Sequence, residues 1–274
     1  MTVDVPIVTP EWLRLREPAD AAARAADLVE PLRRRFSGGD RLVIHDLGSG
    51  TGSMARWLAP RLPGPQHWVL YDRDPDLLAH ATAGPIGPAA DGAPVTVEAR
   101  QRDITRLTLD DLHDASLITA SALLDMLTAD EVERVVAACV EAGCPALLTI
   151  SVIGRVDLTP PDPLDAAVAA AFNAHQRRTT GGRTLLGPAA VDACAEAFRR
   201  RGVGVAVRSS PWRLGADQAD LTAEWFHGWL GAACEQQPEL AGPAEAYAAR
   251  RLAEAAAGRL GVVVDHHDLL AGCV

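Results

Sequence analysis

The chain has 274 residues, 48% of them hydrophobic, and a formal net charge of −10. This length permits one large domain or one domain with a cap, and the acidic balance argues against a nonspecific nucleic-acid binder, which normally presents a basic face. The five cysteines form no C-x-x-C pair, so we expect no disulfide framework, no zinc site and a reducing, cytoplasmic setting. The N-terminus lacks a basic start followed by an apolar core, and no apolar run is long enough to span a membrane, so we expect neither a signal peptide nor a membrane segment.

The first 39 residues predict helices. One helix is expected to start at Pro10 and to break near Pro18, because a proline inside a helix removes a backbone hydrogen bond. A second helix is expected over residues 20–36, where Ala and Leu recur at helical spacing. From this region Arg16 or Asp20 could reach a site on the following domain, although solvated helix ends explain both residues equally well.

The segment from Leu42 to Asp72 reads as strand, glycine turn, helix, strand and acid, which is the pattern of a nucleotide-cradling βαβ unit. Glycines let the backbone turn sharply and come close to a ligand. The helix that follows offers unpaired N–H groups and the positive end of its dipole. Asp72, at the tip of the second strand, can accept hydrogen bonds from both hydroxyls of a ribose.

The turn itself reads Asp46-Leu47-Gly48-Ser49-Gly50-Thr51-Gly52, a D-x-G-x-G-x-G pattern. It differs from the dinucleotide fingerprint G-x-G-x-x-G, because its third glycine comes one residue early. The pattern resembles motif I of the class I S-adenosylmethionine-dependent methyltransferases. The resemblance implies that S-adenosylmethionine lies along the turn, with Asp46 orienting the turn or meeting the ligand's ammonium and Asp72 holding the ribose. The cofactor-binding residues implied in this region are Asp46, Gly48, Ser49, Gly50, Gly52, Asp72 and Arg73.

Two later segments extend the resemblance. A strand over residues 95–99 is followed by Asp103 and Ile104, which match the family's acid that accepts from the adenine amino group and the apolar neighbour that packs on the ring. A fourth strand, residues 115–122, leads into the segment where the family's backbone carbonyls meet the methionine end of the cofactor and side chains border the substrate. The resemblance therefore assigns Ser121 to the cofactor and Asp125 to the substrate.

Strands and helices alternate from residue 40 to residue 154, which predicts an α/β fold with a parallel, doubly wound sheet and right-handed crossovers. The resembled family implies a mostly parallel, seven-stranded, Rossmann-like sheet whose sixth and seventh strands form an antiparallel end. Here two helices separate the candidates for those strands, residues 203–209 and 260–264, where the family often has a short hairpin. We therefore expect a single domain over residues 1–274, with a helical insert near the C-terminus. Its parts are an N-terminal helical cap (1–39), a cofactor-binding core (40–155) and a substrate-side and capping region (156–274).

The densest polar group outside the cofactor motifs runs from Asn173 to Arg178, after the fifth strand, where many small-molecule methyltransferases build the acceptor pocket. His175 is the candidate catalytic base. Asn173, Gln176 and Arg177 are candidates for binding the substrate together with Asp125. A helix end that carries solvated polar residues is the competing interpretation.

Two other clusters favour structural roles. Trp225, Phe226 and Trp229 fit core packing better than an aromatic substrate box. His266-His267-Asp268 looks like a set of metal ligands, but adjacent residues of a strand point to opposite faces. No other spacing of His, Cys and Asp supports a metal, so none is expected.

The function that the sequence predicts is S-adenosylmethionine-dependent methyl transfer to an oxygen or nitrogen atom of a small polar molecule. The expected partners are this small-molecule acceptor and no nucleic acid or membrane, while the helical insert could close the pocket or mediate a homodimer. Two alternatives stay open: an NAD(P)-dependent oxidoreductase of Rossmann type, and a methyltransferase-like protein that binds the cofactor without catalysis. The misplaced third glycine and the absence of lysine, and hence of a Tyr-x-x-x-Lys pair, count against the oxidoreductase.

Overall fold

The structure is a computed structural model, and it describes residues 8–273. This part of the chain contains ten strands and ten α-helices. The strands are β1 (Leu42–Leu47), β2 (Gln66–Asp72), β3 (Val95–Gln101), β4 (Leu117–Ser121), β5 (Ala146–Thr159), β6 (Thr179–Thr180), β7 (Arg183–Thr184), β8 (Val205–Ser209), β9 (Trp212–Leu214) and β10 (Gly261–Ala271). The helices are α1 (Pro10–Ala23), α2 (Val29–Arg35), α3 (Ser53–Leu58), α4 (Pro75–Ala83), α5 (Leu109–Leu112), α6 (Ala129–Glu141), α7 (Asp165–Gln176), α8 (Ala190–Arg200), α9 (Ala219–Gln236) and α10 (Ala241–Ala256).

The central sheet has the order β3-β2-β1-β4-β5-β10-β8, with β9 also paired to β10. The five strands from β3 to β5 are parallel, whereas β10 is antiparallel to β5, β8 and β9. The predicted mostly parallel, doubly wound α/β sheet is therefore confirmed. Parallel strands with helices on both faces must be apolar on both faces, and β1 and β4 are buried along nearly their whole length.

The antiparallel end differs in detail from the prediction. The sixth strand is split into β8 and β9, which pair with successive stretches of β10. The split falls at Ser210-Pro211, because proline cannot donate to the ladder and marks strand edges. The seventh strand is longer than predicted and continues through His266, His267 and Asp268 to Ala271. The insert between β9 and β10 is the helix pair α9 and α10, as the sequence indicates.

The N-terminal region also corrects a prediction. Helix α1 does not break at Pro18 but continues to Ala23. Pro18 lies on the exposed face, so the carbonyl that it leaves without a helical partner can bond to water. The second helix is shorter than predicted, since α2 covers only Val29–Arg35.

Three apolar clusters build the molecule. Two of them hold the helices on the two faces of the sheet. The third joins the insert to α7 and to the outer halves of β5 and β10, and it contains Phe226, Trp229 and Tyr247. This third cluster gives the capping region its own core and sets α7 and α9 over one edge of the sheet.

Candidate active site

A cavity of about 750 Å³ lies where the parallel strands end at their carboxyl ends. Segments that follow β1, β2, β3 and β4 line one half of this cavity, together with the N-terminal part of α1. The other half is bounded by β5, β10, α7 and α9. Crevices at the carboxyl ends of an open α/β sheet are where such folds bind ligands.

The glycine turn after β1 adopts a backbone that only glycine accepts easily. Gly48 and Gly50 have φ angles of +63° and +54°, in the left-handed region that L side chains rarely adopt. A Cβ atom on Gly50 would lie 2.9 Å from the Leu13 side chain. Helix α1 therefore packs directly on the turn and closes the cavity above it.

Asp72 is held in a single orientation by the turn. Its Oδ2 accepts a hydrogen bond from the Gly50 amide at 2.9 Å, and its Oδ1 accepts one from the Asp74 amide at 3.0 Å. Each carboxylate oxygen has two lone pairs, so both can still accept a hydroxyl from a ligand. This arrangement is suited to the two adjacent hydroxyls of a ribose.

Asp46 lies beneath the turn and is 1% exposed. Thr119 donates to its Oδ1 at 2.7 Å, while its Oδ2 has no partner among the described residues. Burial raises the pKa of Asp46 to about 7, against the hydrogen bond from Thr119 and the charge of Arg24, which lower it. The Ser49 hydroxyl, also on the cavity wall, likewise lacks a partner within the described chain. These unsatisfied oxygens and the glycine backbone fit a polar, positively charged ligand such as the ammonium-bearing end of S-adenosylmethionine.

The remaining residues assigned to the cofactor fall along the same half of the cavity, with one exception. Arg73, Asp103, Ile104 and Ser121 line it. Hydrogen bonds from Thr105 hold the pKa of Asp103 below its ordinary value even though burial opposes them. Gly52 is the exception: it starts α3 in the left-handed conformation and packs near Ala81 instead of lining the cavity.

Arg24 is a charged residue behind this half of the site that the sequence patterns do not single out. It is 4% exposed, and its Nη2 donates to Ser53 Oγ at 3.2 Å and to Ser121 Oγ at 3.0 Å. Burial lowers its pKa although Asp20, Asp268 and Asp46 lie nearby. Both serines line the cavity, so a buried guanidinium orients them from behind.

Two non-glycine residues at the strand ends have left-handed backbones. Ala122 after β4 and Ile150 in β5 have φ angles of 53° and 55°, and both line the cavity. A β-branched residue is strained there. Asp268 holds the strained segment, because its Oδ1 accepts from the Ile150 amide at 2.7 Å.

The polar residues of α7 divide between the cavity and the outside. Asn173 and Gln176 line the cavity, but His175 and Arg177 do not. The His175 ring is bonded on both nitrogens, to Glu235 Oε2 at 3.1 Å and to Arg178 Nη1 at 2.5 Å, and burial lowers its pKa. Arg177 is exposed. The geometry therefore does not support His175 as the base or Arg177 as a substrate ligand, because one is already paired and the other faces solvent.

Asp125 lies where the half of the cavity lined after β1 to β4, here called the cofactor half after its predicted role, meets the half bounded by β5, β10, α7 and α9, here called the acceptor half for the same reason. It follows β4 on the cavity wall, and burial raises its pKa, with Arg16 acting in the opposite direction. Gln176 Nε2 lies 3.5 Å from its Oδ2, while Gln176 Oε1 has no partner among the described residues. Asp125 and Gln176 thus form a polar pair on the cavity wall.

Part of the cavity wall is aromatic. Phe226 and Trp229 are buried in the third apolar cluster and Trp225 packs against it, in agreement with the predicted core packing. Trp225 and Trp229 also line the cavity, and their rings stack with centroids 5.2 Å apart, whereas Phe226 does not line it. Residues four apart share a helix face, so the spacing of the two tryptophans was compatible with this result. Only the packing of α9 shows which face meets the cavity.

Helix α1 closes the acceptor half with an ion pair. Arg16 binds both carboxylate oxygens of Asp20 at 3.0 and 3.1 Å, and Trp212 Nε1 donates to Asp20 at 2.9 Å. The sequence analysis named Arg16 and Asp20 as residues that could reach the site, and both line the cavity. His266 lies beside Trp212 on the same wall, 3% exposed, and burial with the nearby charge of Arg16 lowers its pKa to about 4.

Across residues 8–273, no helix is both long and apolar enough to cross a membrane. The same part of the chain contains no group of three or more His, Cys, Asp and Glu side chains that could hold a metal ion.

Residues 44–145 match the family model described as a methyltransferase domain. No curated protein matches the chain in sequence. Among solved structures, the chain is similar to the cyclopropane synthase MmaA2 from Mycobacterium tuberculosis, with a TM-score of 0.51 and 14% identity over 96% of this chain and 94% of that one. It is also similar to a cyclopropane-fatty-acyl-phospholipid synthase-like protein from Lactobacillus casei ATCC 334, with a TM-score of 0.52 and 15% identity over the same shares of the two chains. At these identities the two structures show a shared fold.

Proposed function

We propose that this chain is a class I S-adenosylmethionine-dependent methyltransferase that transfers the cofactor's methyl group to an oxygen or nitrogen atom of a small polar molecule, and the match of residues 44–145 to the methyltransferase-domain model supports this proposal. The match to this family removes the reason to retain the nicotinamide-dependent alternative.

The observation that carries the proposal is the position of Asp125. It is the carboxyl group of the segment directly after β4, where the cofactor half of the cavity meets the acceptor half. Burial raises its pKa, and Gln176 at 3.5 Å is its one side-chain neighbour within hydrogen-bonding range among the described residues. A carboxylate with a raised pKa and free lone pairs is a suitable general base for a hydroxyl or a protonated amine.

Residues in different parts of the cavity would have different roles in the reaction. S-adenosylmethionine, when bound, supplies a methyl group on a positively charged sulfur that is already activated for in-line displacement. Asp72 would hold the ribose, and the turn around Gly50 would let the backbone approach the ligand. Helix α1 covers the turn through Leu13, which excludes water and keeps the two reactants aligned. Asp125 would take the proton that the acceptor loses.

Methyl transfer to carbon is the competing outcome, since the fold is shared with two proteins named as cyclopropane synthases or as similar to one. The polar pair of Asp125 and Gln176, with Asn173 on the same helix face, favours an acceptor that carries a hydrogen-bonding group. Gln176 Oε1 has no hydrogen-bond partner among the described residues, and an alkene carbon would leave it unpaired, which is costly in a buried site.

The test uses S-adenosylmethionine labelled with ¹³C at the methyl group and a panel of small hydroxyl and amino compounds, followed by NMR of the products. We expect the label on oxygen or nitrogen. Asp125→Asn should lower kcat by about 10²- to 10⁴-fold, the usual contribution of a general base, with the affinity for S-adenosylhomocysteine unchanged. Asp130→Asn, an exposed residue at the start of α6, is the control. Label on carbon, or full turnover by Asp125→Asn, would contradict the proposal.

A further inference from the structure

The tryptophans of this chain are concentrated around the acceptor half of the cavity. The sequence contains six tryptophans, and Trp12, Trp212, Trp225 and Trp229 line the cavity. All four also belong to the third apolar cluster or pack against it, so these side chains form the core of the cap and the wall of the cavity at once. They therefore bear on what the acceptor is.

The stacked pair on α9 presents a flat surface. Trp225 and Trp229 lie with ring centroids 5.2 Å apart and planes inclined by 19°. Trp229 is 2% exposed, while Trp225 is half-buried, so a face or edge of Trp225 stays accessible. Phe172 of α7 also lines the cavity and packs against the third apolar cluster. A planar ring of a ligand could extend the stack, because aromatic rings prefer offset or tilted neighbours at such distances.

The charges around the other two tryptophans disfavour a cationic ligand. The Arg16 guanidinium lies 4.9 Å from the centroid of the Trp212 ring and 5.8 Å from that of the Trp12 ring. These ring faces therefore already contact a cation, one that Asp20 holds in place with two hydrogen bonds. A second positive charge at these two rings would enter beside Arg16 and find their faces already occupied by a cation.

Two unpaired polar atoms of the cavity wall indicate where a bound aromatic ligand would carry a polar group. Trp229 Nε1 and Gln176 Oε1 are buried on cavity-lining residues and have no hydrogen-bond partner among residues 8–273. One is a donor and the other an acceptor. A hydroxyl can satisfy either kind of atom, and Asp125 lies next to Gln176 to receive its proton.

We propose that the methyl acceptor is a planar, hydroxylated aromatic molecule of one or two rings, bound against Trp225 with its hydroxyl toward Asp125 and Gln176. This inference rests on the proposed function. A cavity of about 750 Å³ must hold the cofactor as well, which limits the acceptor to a compact ring system. In the reaction the aromatic O–H bond breaks and its proton passes to Asp125. A new O–CH₃ bond forms as the S–CH₃ bond breaks, and S-adenosylhomocysteine is the leaving group.

The test measures binding, so that it is independent of turnover. Phenol, catechol, 2-naphthol and 8-hydroxyquinoline are titrated by calorimetry into the protein saturated with S-adenosylhomocysteine. Cyclohexanol, cyclohexane-1,2-diol and decahydro-2-naphthol, the saturated counterparts of the first three, are titrated in parallel. We expect at least one aromatic compound to bind about 2- to 12-fold more tightly than its saturated counterpart, the range that corresponds to one aromatic stacking pair.

Two variants of α9 locate the effect. Trp225→Leu should abolish the preference for the aromatic compound, whereas Phe226→Leu, the neighbouring core residue, should preserve it. Equal binding of every aromatic and saturated pair, no binding by any aromatic compound, or a preference that survives Trp225→Leu would overturn the inference. Failure of the proposed function would show differently, as an absence of O- or N-methylated product, while the preference in binding remained measurable.

Discussion

At the scale of single residues, Asp46 is a carboxyl group of the cofactor half that is almost fully buried and has a raised pKa. Burial raises its pKa to about 7 from the model-compound value of 3.8, so the folded protein binds a proton that the unfolded chain has released. The stability that this group contributes is fully present below the unfolded pKa and is lost as the pH rises through 7.

Asp46→Asn, which cannot ionise, should therefore stabilise the ligand-free protein more at pH 8 than at pH 5. The difference should be about 2 kcal/mol in the free energy of unfolding, as measured by urea denaturation. The Asn side chain can still accept the hydrogen bond that Thr119 donates at 2.7 Å. The exposed residue Asp110 provides the control Asp110→Asn. An equal change at the two pH values in Asp46→Asn would show that the burial of a charge at this position does not govern the pH dependence.

At the scale of elements, Asp268 of β10 joins three parts of the chain. It accepts hydrogen bonds from the Ala25 amide at 2.8 Å, the Ile150 amide at 2.7 Å and the Ser210 hydroxyl at 2.6 Å. These bonds connect the end of α1, the strained residue of β5 and the break between β8 and β9. Asp268 is 1% exposed. If its carboxylate were removed, no water could easily reach the three donors to accept their hydrogen bonds.

Asp268→Ala should lower the free energy of unfolding by about 3 kcal/mol or more, because several buried donors would lose their partner at roughly 1–3 kcal/mol each. Asp268→Asn should cost less, since one oxygen remains to accept. Chemical denaturation of both variants measures the difference, and Asp157→Ala on the adjacent strand β5, an exposed residue, serves as control. A loss below 1 kcal/mol in Asp268→Ala would mean that the three elements are held together by packing alone.

At the scale of the whole molecule, the cavity lies between the sheet and a cap with its own apolar core. Helix α1 touches the glycine turn through Leu13, and its Asp20 accepts a hydrogen bond from Trp212 of β9. A ligand on the turn is thus covered by an element that also borders the acceptor half. Binding of the cofactor should order the cap as well as the turn.

S-adenosylhomocysteine at 100 times its Kd should raise the free energy of unfolding by about 2.7 kcal/mol. Amide hydrogen exchange should slow in the turn at residues 48–52 and also in α1, because the two surfaces pack on each other. Leu13→Ala should retain the protection of the turn and reduce that of α1. Protection limited to residues 48–52 in the unaltered protein would show that the cap is not coupled to the cofactor site.

The sequence by itself determined the parallel part of the sheet and the position in the cavity of most residues proposed to bind the cofactor. The glycine turn and the acids before and after it form a local sequence pattern that follows two neighbouring strands. Because these strands are parallel, their carboxyl ends meet at one edge of the sheet. Asp46, Gly50, Asp72 and Asp103 were predictable for this reason. The acid Asp125 was predictable as well, since it directly follows a strand.

Only the tertiary structure decided the acceptor half. An α-helix turns about 100° per residue, so the rotation of α7 about its axis decides that Asn173 and Gln176 meet the cavity while His175 pairs with Glu235. In the same way, the rotation of α9 about its own axis decides that Trp225 lines the cavity and Phe226 does not. The rotation of a helix about its axis depends on the residues that it packs against. These residues come from distant parts of the chain, so the sequence of the helix alone does not show which face meets the cavity. Arg24 is a further case, because its partners Ser53 and Ser121 lie 29 and 97 positions away.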